Sequence, residues 1–252
     1  MSNPLRRLIV TIGSPATLNG REGRRELADF YGALLGMRVI NEGWLLIARE
    51  SESKLVLALD NDGWSDDHPP RWPDPEYPQQ LHLDLAVRDL DEVSRDVAAA
   101  GATLLKDSES FRVFADPAGH PFCLYPDVEV ARTTVRRLVF DCFSPRSMAT
   151  FYEGFLSASD RRIEDSMERV VVDLGDAELP DLGFQHAVFR PARYPDPDYP
   201  AQLHVDYRWT DGIESEAMAR AEQLGAVRLP DLADTIAYAD PASHPFCVQI
   251  TV

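Results

Sequence analysis

The sequence predicts an α+β fold made by tandem duplication, with four βαβββ modules along the chain. Two observations predict it. Segments of the chain recur in the same order at nearly constant spacing, and each copy alternates short apolar runs of strand length with single amphipathic helices. A chain of 252 residues also has room for two domains of ordinary size.

Three landmarks establish the duplication. Paired with their copies, they are Phe30-Tyr31 with Phe151-Tyr152, 71–84 with 193–206, and 116–123 with 240–247. The second pair shares 10 of 14 positions and the third shares 7 of 8, at offsets of 122 and 124. Because order and spacing both persist, we predict one domain at residues 1–128 and a second at 133–252.

The spacing of apolar residues predicts each element in turn. A run at 5–12 predicts a strand, and a stripe with spacing i, i+3, i+4, i+7 predicts a helix over 24–35. In the second copy the same stripe follows Ser144-Pro145, a pair typical of a helix start. The remaining elements predicted for the first copy are strands at 38–40, 44–48, 54–59, 80–87, 103–105, 111–115 and 122–125, and a helix at 91–100.

Charge and composition exclude several classes of partner. The chain carries 25 basic and 42 acidic residues, a net charge of −17, which opposes binding to nucleic acid and to anionic membranes. No apolar window has the length of a membrane span. An odd number of cysteines without a secretory signal predicts a reduced, cytoplasmic protein.

Strand alternation places the most reactive side chains on one face. His82 and Asp84 alternate with leucines, and His204 and Asp206 repeat the pattern, so each pair lines either solvent or a polar cavity. The alternative is a His–Asp hydrogen bond that only stiffens the strand. The same alternation puts one cysteine per copy, Cys123 or Cys247, on the face of the histidine. Either thiol would be a low-pKa nucleophile, half of a soft metal pair or a small buried apolar group.

Two further sets of residues are candidates for ligand contacts. The proline-rich loop of each copy carries aromatic side chains: Trp72, Tyr77, Tyr194 and Tyr199. These rings would either stack on a planar ligand or pack the two copies together. His120 and His244 sit in Asp-Pro turns, where we expect hydrogen bonds within the hairpin, with a ligand contact as the alternative.

The duplicated module resembles the vicinal oxygen chelate superfamily, in particular its glyoxalase-like, bleomycin-resistance-related branch. The segments that carry the resemblance are FYGALLG at 30–36, QLHLDLAVRDLDE at 80–92 and DPAGHPFC at 116–123, and it covers nearly the whole chain. The resemblance implies mixed sheets that curl into cups, with helices outside. Members of this superfamily include lyases, isomerases, epimerases, extradiol dioxygenases, thiol transferases and metal-free proteins that sequester antibiotics.

The resemblance also implies where a metal would bind. Metal-binding relatives carry His, Gln or Glu at four inward positions, one on the first and one on the last strand of each of two paired modules. His82 and His204 match that pattern. The other positions hold Cys123 and Cys247 in place of a carboxylate, Arg7 and Arg137, which bind no cation, and Ala58 and Gln185. The usual oxygen and nitrogen ligand set is therefore broken in both copies.

We therefore expect a protein that binds, or converts, a small organic molecule in one or both cups, without the usual catalytic metal and with no other cofactor. His82 and His204 are the predicted catalytic residues. The predicted ligand-binding residues are Trp72, Tyr77, Asp84, Cys123, Gln185, Tyr194, Tyr199, Asp206 and Cys247. We expect a monomer or a homodimer.

Two alternatives remain. One is an enzyme of lyase, isomerase or dioxygenase type, with a divalent metal held by His82 or His204 and helped by Gln185 or a cysteine, or a metal-free variant in which Asp84 orients His82 as general base. The other is that only one copy keeps a site. Gln185 favours the second copy, whereas Trp72 and an insertion at 60–67 favour the first.

Overall fold

The structure is a computed structural model with 16 strands and four helices in its described part. That part comprises residues 5–13, 21–60, 71–74, 76, 78–158, 160–164, 168–188, 190–193, 201–210, 212–230 and 235–249. Within these ranges, no helix has the length and apolar character needed to cross a bilayer. The predicted α+β content is confirmed.

The elements follow one another as four βαβββ modules. Module one comprises β1 (Leu5–Gly13), α1 (Arg21–Leu35), β2 (Arg38–Asn41), β3 (Leu46–Ala48) and β4 (Leu55–Asp60). Module two comprises β5 (Leu81–Val87), α2 (Leu90–Ala99), β6 (Thr103–Asp107), β7 (Arg112–Ala115) and β8 (Pro121–Pro126). Module three comprises β9 (Thr134–Cys142), α3 (Pro145–Leu156), β10 (Asp160–Glu164), β11 (Arg169–Asp173) and β12 (Asp181–His186). Module four comprises β13 (Leu203–Trp209), α4 (Glu214–Gln223), β14 (Val227–Arg228), β15 (Thr235–Ala239) and β16 (Pro245–Gln249).

The predicted elements are all present, with one notable difference at Trp44. The strand expected from residue 44 begins at Leu46, and Trp44 lies in an exposed turn where its backbone N–H donates to Asn41 Oδ1 at 3.0 Å. The asparagine side chain supplies a local acceptor that competes with strand pairing. The predicted helix start at Ser144-Pro145 is confirmed as the cap and first position of α3.

The strands form two mixed sheets of eight strands each. We call sheet I the one with the order β14-β15-β16-β13-β1-β4-β3-β2, and sheet II the one with the order β10-β11-β12-β9-β5-β8-β7-β6. Sheet I joins modules one and four through antiparallel β1 and β13. Sheet II joins modules two and three through antiparallel β5 and β9. Each sheet therefore takes one module from each sequence copy, while the domain boundaries at 1–128 and 133–252 stay a prediction.

One face of each sheet packs into a continuous apolar core. Leu81, Leu83 and Leu85 of β5 belong to this core, as the alternation predicted, together with Val205 and Tyr207 of β13. Helix α3 contributes its whole apolar stripe: Met148, Phe151, Tyr152 and Phe155. Burying one large side chain of this kind stabilises the fold by about 2 kcal/mol. The leucine positions thereby fix which way the intervening histidines and aspartates point.

Buried tyrosines explain why two of the sequence landmarks recur. Tyr31 in α1 donates its hydroxyl to Asp116 Oδ2 at 2.8 Å, and Tyr152 in α3 donates to Asp240 Oδ2 at 3.1 Å. Each bond joins a helix whose module lies in one sheet to the turn before the last strand of a module in the other sheet. The repeated Phe-Tyr and Asp-Pro motifs are thus two ends of the same contact, made once per copy.

The predicted hydrogen bond within the hairpin is present at His244, and the ring of this histidine also bonds outside the hairpin, to β9. His244 Nδ1 lies 2.9 Å from Asp240 Oδ2, and its Nε2 lies 3.0 Å from the carbonyl oxygen of Asp141. His120 Nδ1 lies 3.3 Å from Asp116 Oδ2. The turn aspartate therefore accepts from a tyrosine hydroxyl and adjoins an imidazole, which holds the turn against the core.

A reciprocal pair of glutamines joins the starts of β5 and β13. The backbone N–H of Gln80 donates to Gln202 Oε1 at 3.0 Å, and the backbone N–H of Gln202 donates to Gln80 Oε1 at 3.2 Å. These residues are equivalent in the sequence repeat. The two strands that carry the candidate histidines are therefore held next to each other where they begin.

Candidate functional site

The histidine of β5 lies with an aspartate and a cysteine on the face of sheet II opposite the apolar core. We call this the histidine face. Each of His82, Asp84 and Cys123 offers one atom of a kind that can bind a metal, and these three atoms lie within 4.8 Å of one another. The parallel pairing of β5 with β8 sets Asp84 beside Cys123 in register. The predicted grouping of these three residues is confirmed, whereas their roles stay predictions.

Sheet I carries the same group on its own histidine face. His204 and Asp206 of β13 and Cys247 of β16 again bring ligand-type atoms within 4.8 Å of one another, and Asp206 pairs in register with Cys247. His204 Nε2 lies 3.3 Å from Asp206 Oδ1. Both copies therefore build a His-Asp-Cys group, each within a single module.

In sheet II the aspartate of this group is bound by two arginines. Asp84 Oδ2 accepts from Arg137 Nε and from Arg169 Nη1, both at 3.0 Å. The three residues are at most 3% exposed. The Arg137 guanidinium also lies 5.6 Å from the ring centroid of Tyr125. A carboxylate this deeply buried keeps its charge only where cations and hydrogen bonds replace water, and the two guanidinium groups do so.

The network continues through an amide to a second carboxylate. Arg169 Nη2 donates to Gln185 Oε1 at 2.7 Å, and Gln185 Nε2 donates to Asp141 Oδ1 at 2.8 Å. His82 Nδ1 lies 3.9 Å from the same oxygen of Asp141. Gln185, predicted to contact a ligand, is thus held between an arginine and an aspartate of the protein itself.

Sequence reasoning missed Asp141 and Arg169. Each had a signal in the sequence. Asp141 interrupts the apolar run Leu-Val-Phe-Asp-Cys of β9, and Arg169 directly precedes the run Val-Val-Val of β11. Arg137 was recognised only as a residue that binds no cation. The pairing of β9 with β5, which brings Arg137 opposite Asp84, joins residues of different sequence copies and was not predicted.

The environment shifts the two carboxyl groups in opposite directions. Burial alone would raise the pKa of Asp84, but the hydrogen bond and charge of His82 and the two guanidinium groups lower it to about 2. Burial raises the pKa of Asp141, against the opposing effect of His82 and the amides of Gln79 and Gln185. Of these two carboxyl groups, Asp84 therefore holds its negative charge more firmly.

The corresponding positions of sheet I are apolar or small. By strand register, Thr11 takes the place of Asp141, Ala58 that of Gln185, and Leu46 that of Arg169. Ile9, Ala48, Val56 and Ala58 form a small cluster of buried side chains on this face. The two histidine faces differ in chemistry, because sheet II is filled by an ion network whereas sheet I carries small apolar groups. They also differ in strand register, since Asp84 lies opposite Arg137 but Asp206 lies opposite Ile9.

Two local substitutions accompany this difference. Gly183 of β12 leaves room for the network, because a Cβ there would lie 3.2 Å from Val139 Cγ2 and 3.6 Å from Arg169 Cδ. Its counterpart in sheet I is Val56. Arg7, the sequence counterpart of Arg137, donates instead to the carbonyl oxygen of Ser51 at 2.6 Å.

Cys123 and Cys247 are both buried. Burial, followed by the charge of the adjacent aspartate, raises the pKa of Cys123 and that of Cys247 well above the ordinary thiol value. A catalytic thiolate needs the opposite shift. The structure therefore does not favour the low-pKa nucleophile among the alternatives for these residues.

The residues present do not fit the metal centre that the family resemblance implies. In sheet II, Gln185 Oε1 and Asp84 Oδ2 both accept from guanidinium groups, so a divalent cation there would meet like charge. In sheet I, the two positions that the resemblance assigns to module one hold Arg7 and Ala58, so this module supplies neither of the expected ligands.

The aromatic loop residues are only partly within the described part of the chain. Trp72 lies there in a turn and is half-buried. Tyr77, Tyr194 and Tyr199 lie outside the described residues, as does most of the insertion at 60–67. The stacking and packing alternatives for these rings stay predictions.

Comparison with known proteins agrees with this architecture. A family model described as "Glyoxalase-like domain" matches the chain twice, over residues 17–125 and 137–249. The chain belongs to the glyoxalase-like domain family. The resemblance recognised in the sequence motifs is therefore confirmed, and so is the tandem arrangement of two glyoxalase-like domains. No curated protein matches the chain.

Solved structures similar to this glyoxalase-like chain share its fold at low sequence identity. A mutant of glyoxalase I from Zea mays is 13% identical with a TM-score of 0.65, covering 97% of this chain and 92% of its own. A putative dioxygenase from Bacillus subtilis is 13% identical with a TM-score of 0.62, covering 98% and 85%. The cppA protein from Streptococcus pneumoniae is 12% identical with a TM-score of 0.51, covering 99% and 100%. These likenesses establish the fold alone.

Proposed function

We propose that this glyoxalase-like protein binds a small organic molecule on the histidine face of sheet I, anchored by His204 and Asp206. The observation that carries the proposal is the contrast between the two histidine faces. In sheet II the polar groups bond to one another, whereas in sheet I a cluster of small apolar side chains lies on the same face as His204 and Asp206. A few polar groups on an apolar wall are typical of small-molecule sites.

Exposure supports the choice of sheet I. The side chains of His204 and Asp206 are 11% and 12% exposed, against 3% and 0% for His82 and Asp84. A ligand that replaces water at the sheet I pair keeps their hydrogen bonds and gains apolar contact with Ala48 and Ala58. The equivalent pair in sheet II is already enclosed by arginine side chains.

Sheet II has a structural role in this proposal. Its ion network crosses the antiparallel junction between β5 and β9 and so links one module of each sequence copy. Of the two histidine faces, only that of sheet I then binds a ligand. His82, Asp84, Cys123 and Gln185 act through stability rather than through contact with a ligand.

A second candidate function is catalysis at the same place in sheet I. The distance of 3.3 Å between His204 Nε2 and Asp206 Oδ1 is the observation that favours it. Asp206 would orient the imidazole, and the Nδ1 side of the neutral ring would accept a proton from a bound substrate. Such a base could take the proton in a lyase or isomerase reaction.

A thermal-shift screen of small organic molecules tests the binding proposal. We expect at least one compound to raise the unfolding temperature of the wild type. His204→Ala and Ala58→Leu, which remove the anchor and fill the apolar wall, should abolish that increase. His82→Ala is the matched control in sheet II: it lowers the unfolding temperature but keeps the increase caused by the compound. An increase that persists in both sheet I variants would exclude this face as the binding site.

A further inference from the structure

We propose that the ligand of sheet I is an organic anion, and that Arg7 and Arg208 bind its carboxylate group. The inference rests on the proposed use of the sheet I histidine face and names the chemical class of the ligand. The carboxylate lies at the arginine end of this face, and an apolar body extends from it toward His204.

Strand register brings the two arginines together. Antiparallel β1 and β13 pair Arg7 with Arg208 and, two residues further along β1, Ile9 with Asp206. Residues that follow one another on the same face of a strand lie about 7 Å apart. The two guanidinium groups are therefore carried side by side, one step along the sheet from the Asp206 that adjoins the candidate histidine.

Strand alternation puts both side chains on the histidine face. Tyr207 and Trp209, the chain neighbours of Arg208, belong to the apolar core, and so does Leu8 beside Arg7. Neighbouring residues of a strand point to opposite sides of the sheet, so the two arginines point away from that core. Both are only half-buried, which leaves them within reach of a ligand.

The two like charges favour an anion between them. Burial, and then the charge of Arg208, lower the pKa of Arg7, against the opposing charge of Glu52. A carboxylate that bonds both guanidinium groups offsets their mutual repulsion. Neither arginine has to be without other contacts for this, because each carries five N–H donors, and the bond from Arg7 to the carbonyl oxygen of Ser51 uses Nη2.

Sheet II shows the same recognition within the chain itself. Its register differs, so that Asp84 lies opposite Arg137. Asp84 Oδ2 accepts from Arg137 and from Arg169, both at 3.0 Å, and a carboxylate of the protein thus joins two guanidinium groups. In sheet I the register sets arginine opposite arginine, and the proposed ligand supplies the carboxylate.

The apolar side chains define the rest of the ligand. Ile9 lies one step along β1 from Arg7 and clusters with Ala48, Val56 and Ala58. A body of roughly 7 Å or more, attached to the carboxylate, reaches this cluster and gains contact with it. The class is therefore a carboxylate with a medium-length alkyl or aryl group, rather than a small anion such as acetate.

Matched pairs of carboxylates and amides test the inference. The probes are hexanoate, octanoate and 3-phenylpropanoate, each compared with its primary amide, and acetate as the anion without a body. Each is titrated into the full chain at low ionic strength, and the rise in unfolding temperature gives its affinity. We expect the three long carboxylates to bind more tightly than their amides and than acetate.

Substitution of the arginines locates the site. Arg7→Gln and Arg208→Gln should each weaken binding of the long carboxylates by roughly tenfold or more and leave binding of the amides unchanged. Arg25→Gln is the matched control, because it makes the same change in net charge on α1, where Arg25 pairs with Glu42, and it should bind like the wild type. Unfolding without a probe checks that each variant is folded.

Three outcomes would overturn the inference: no long carboxylate stabilises the folded wild type, the amides bind as tightly as the carboxylates, or folded Arg7→Gln and Arg208→Gln keep wild-type affinity. The proposed function fails separately. If an uncharged compound stabilises the wild type but not His204→Ala, and carboxylates bind no better than amides, the anion is excluded and the organic site stands. If carboxylates need both arginines but bind His204→Ala and Ala58→Leu like the wild type, the arginine site stands and the site anchored by His204 is excluded.

Discussion

Arg169 donates to Asp84 at 3.0 Å, although the two residues lie 85 positions apart and in different copies of the sequence repeat. Both side chains are almost completely buried. A buried ion pair does not add stability simply by existing, but removing one member leaves the other charge without compensation. This contact therefore ties the fold of one copy to the presence of the other.

Replacing Arg169 by leucine, the residue at the equivalent position of sheet I, should lower the free energy of unfolding by about 3 kcal/mol. The reason is that Asp84 keeps only one guanidinium partner and Gln185 Oε1 loses its donor. Urea unfolding measures the change. Arg38→Leu is the control: it breaks an ion pair with Glu50 in which both side chains are more than two-thirds exposed, and it should cost less than about 1 kcal/mol. Equal costs for the two variants would contradict a special role for the buried pair.

Acid should weaken the fold through Asp84. Its pKa is about 2 in the folded chain against an ordinary value of 3.8, so this stabilisation is complete above about pH 4 and is lost as the pH falls through about 2. The lowered pKa of Asp84 corresponds to a contribution of about 2 kcal/mol to the free energy of unfolding. Urea unfolding of the wild type and of Asp84→Asn between pH 5 and pH 2 measures it. The stability advantage of the wild type should shrink as the pH falls, and a constant difference would count against the assignment.

Alkaline pH should weaken the fold through His244. Burial lowers the pKa of this imidazole, but the charge and hydrogen bond of Asp240 and the carbonyl of Asp141 raise it above 6.5 overall. The resulting stabilisation is complete below pH 6.5 and is lost as the pH rises through the folded pKa. His244→Gln should therefore unfold with less dependence on pH above 6.5 than the wild type. Tyr31→Phe, which removes the equivalent tyrosine–aspartate bond of the first copy and leaves His244 and Asp240 unchanged, is the control and should keep the dependence.

The reciprocal glutamines should act as one unit. Gln80→Ala or Gln202→Ala each removes one side-chain acceptor and leaves a buried backbone N–H to find another, at a cost of about 1 to 2 kcal/mol. Because each side chain bonds the other residue's backbone, the two losses should be coupled. The loss in free energy of unfolding of the double variant should therefore differ by at least about 0.5 kcal/mol from the sum of the two single losses. A double-mutant cycle in urea measures this coupling. Additive costs would mean that the two bonds are independent.

Much of the fold was predictable because local patterns determine it. Leucines at alternate positions of 81–87 fix which face of β5 is apolar, and the same rule placed His82, Asp84 and Cys123 together. The recurrence of Tyr31 with Asp116, and of Tyr152 with Asp240, reflects a single buried contact and makes the duplication visible in the sequence alone.

What could not be predicted depends on pairing between distant strands. Nothing local in Arg169 or Asp141 indicates that β11 and β9 will lie in one sheet with β5, since that sheet combines modules from both copies. Without this pairing, an arginine at a strand start resembles a solvated residue. The different chemistry of the two histidine faces is therefore a property of the assembled sheets rather than of either sequence copy.

The exchange of modules between the sheets has a consequence for synthesis. When the first 128 residues have left the ribosome, β1 and β5 each have a neighbour on one side only, because β13 and β9 have not yet emerged. A half-length chain would present two unpaired strand edges, and such edges attract other chains. Joining both halves in one polypeptide supplies the missing strands at high local concentration, before a neighbouring molecule can provide them.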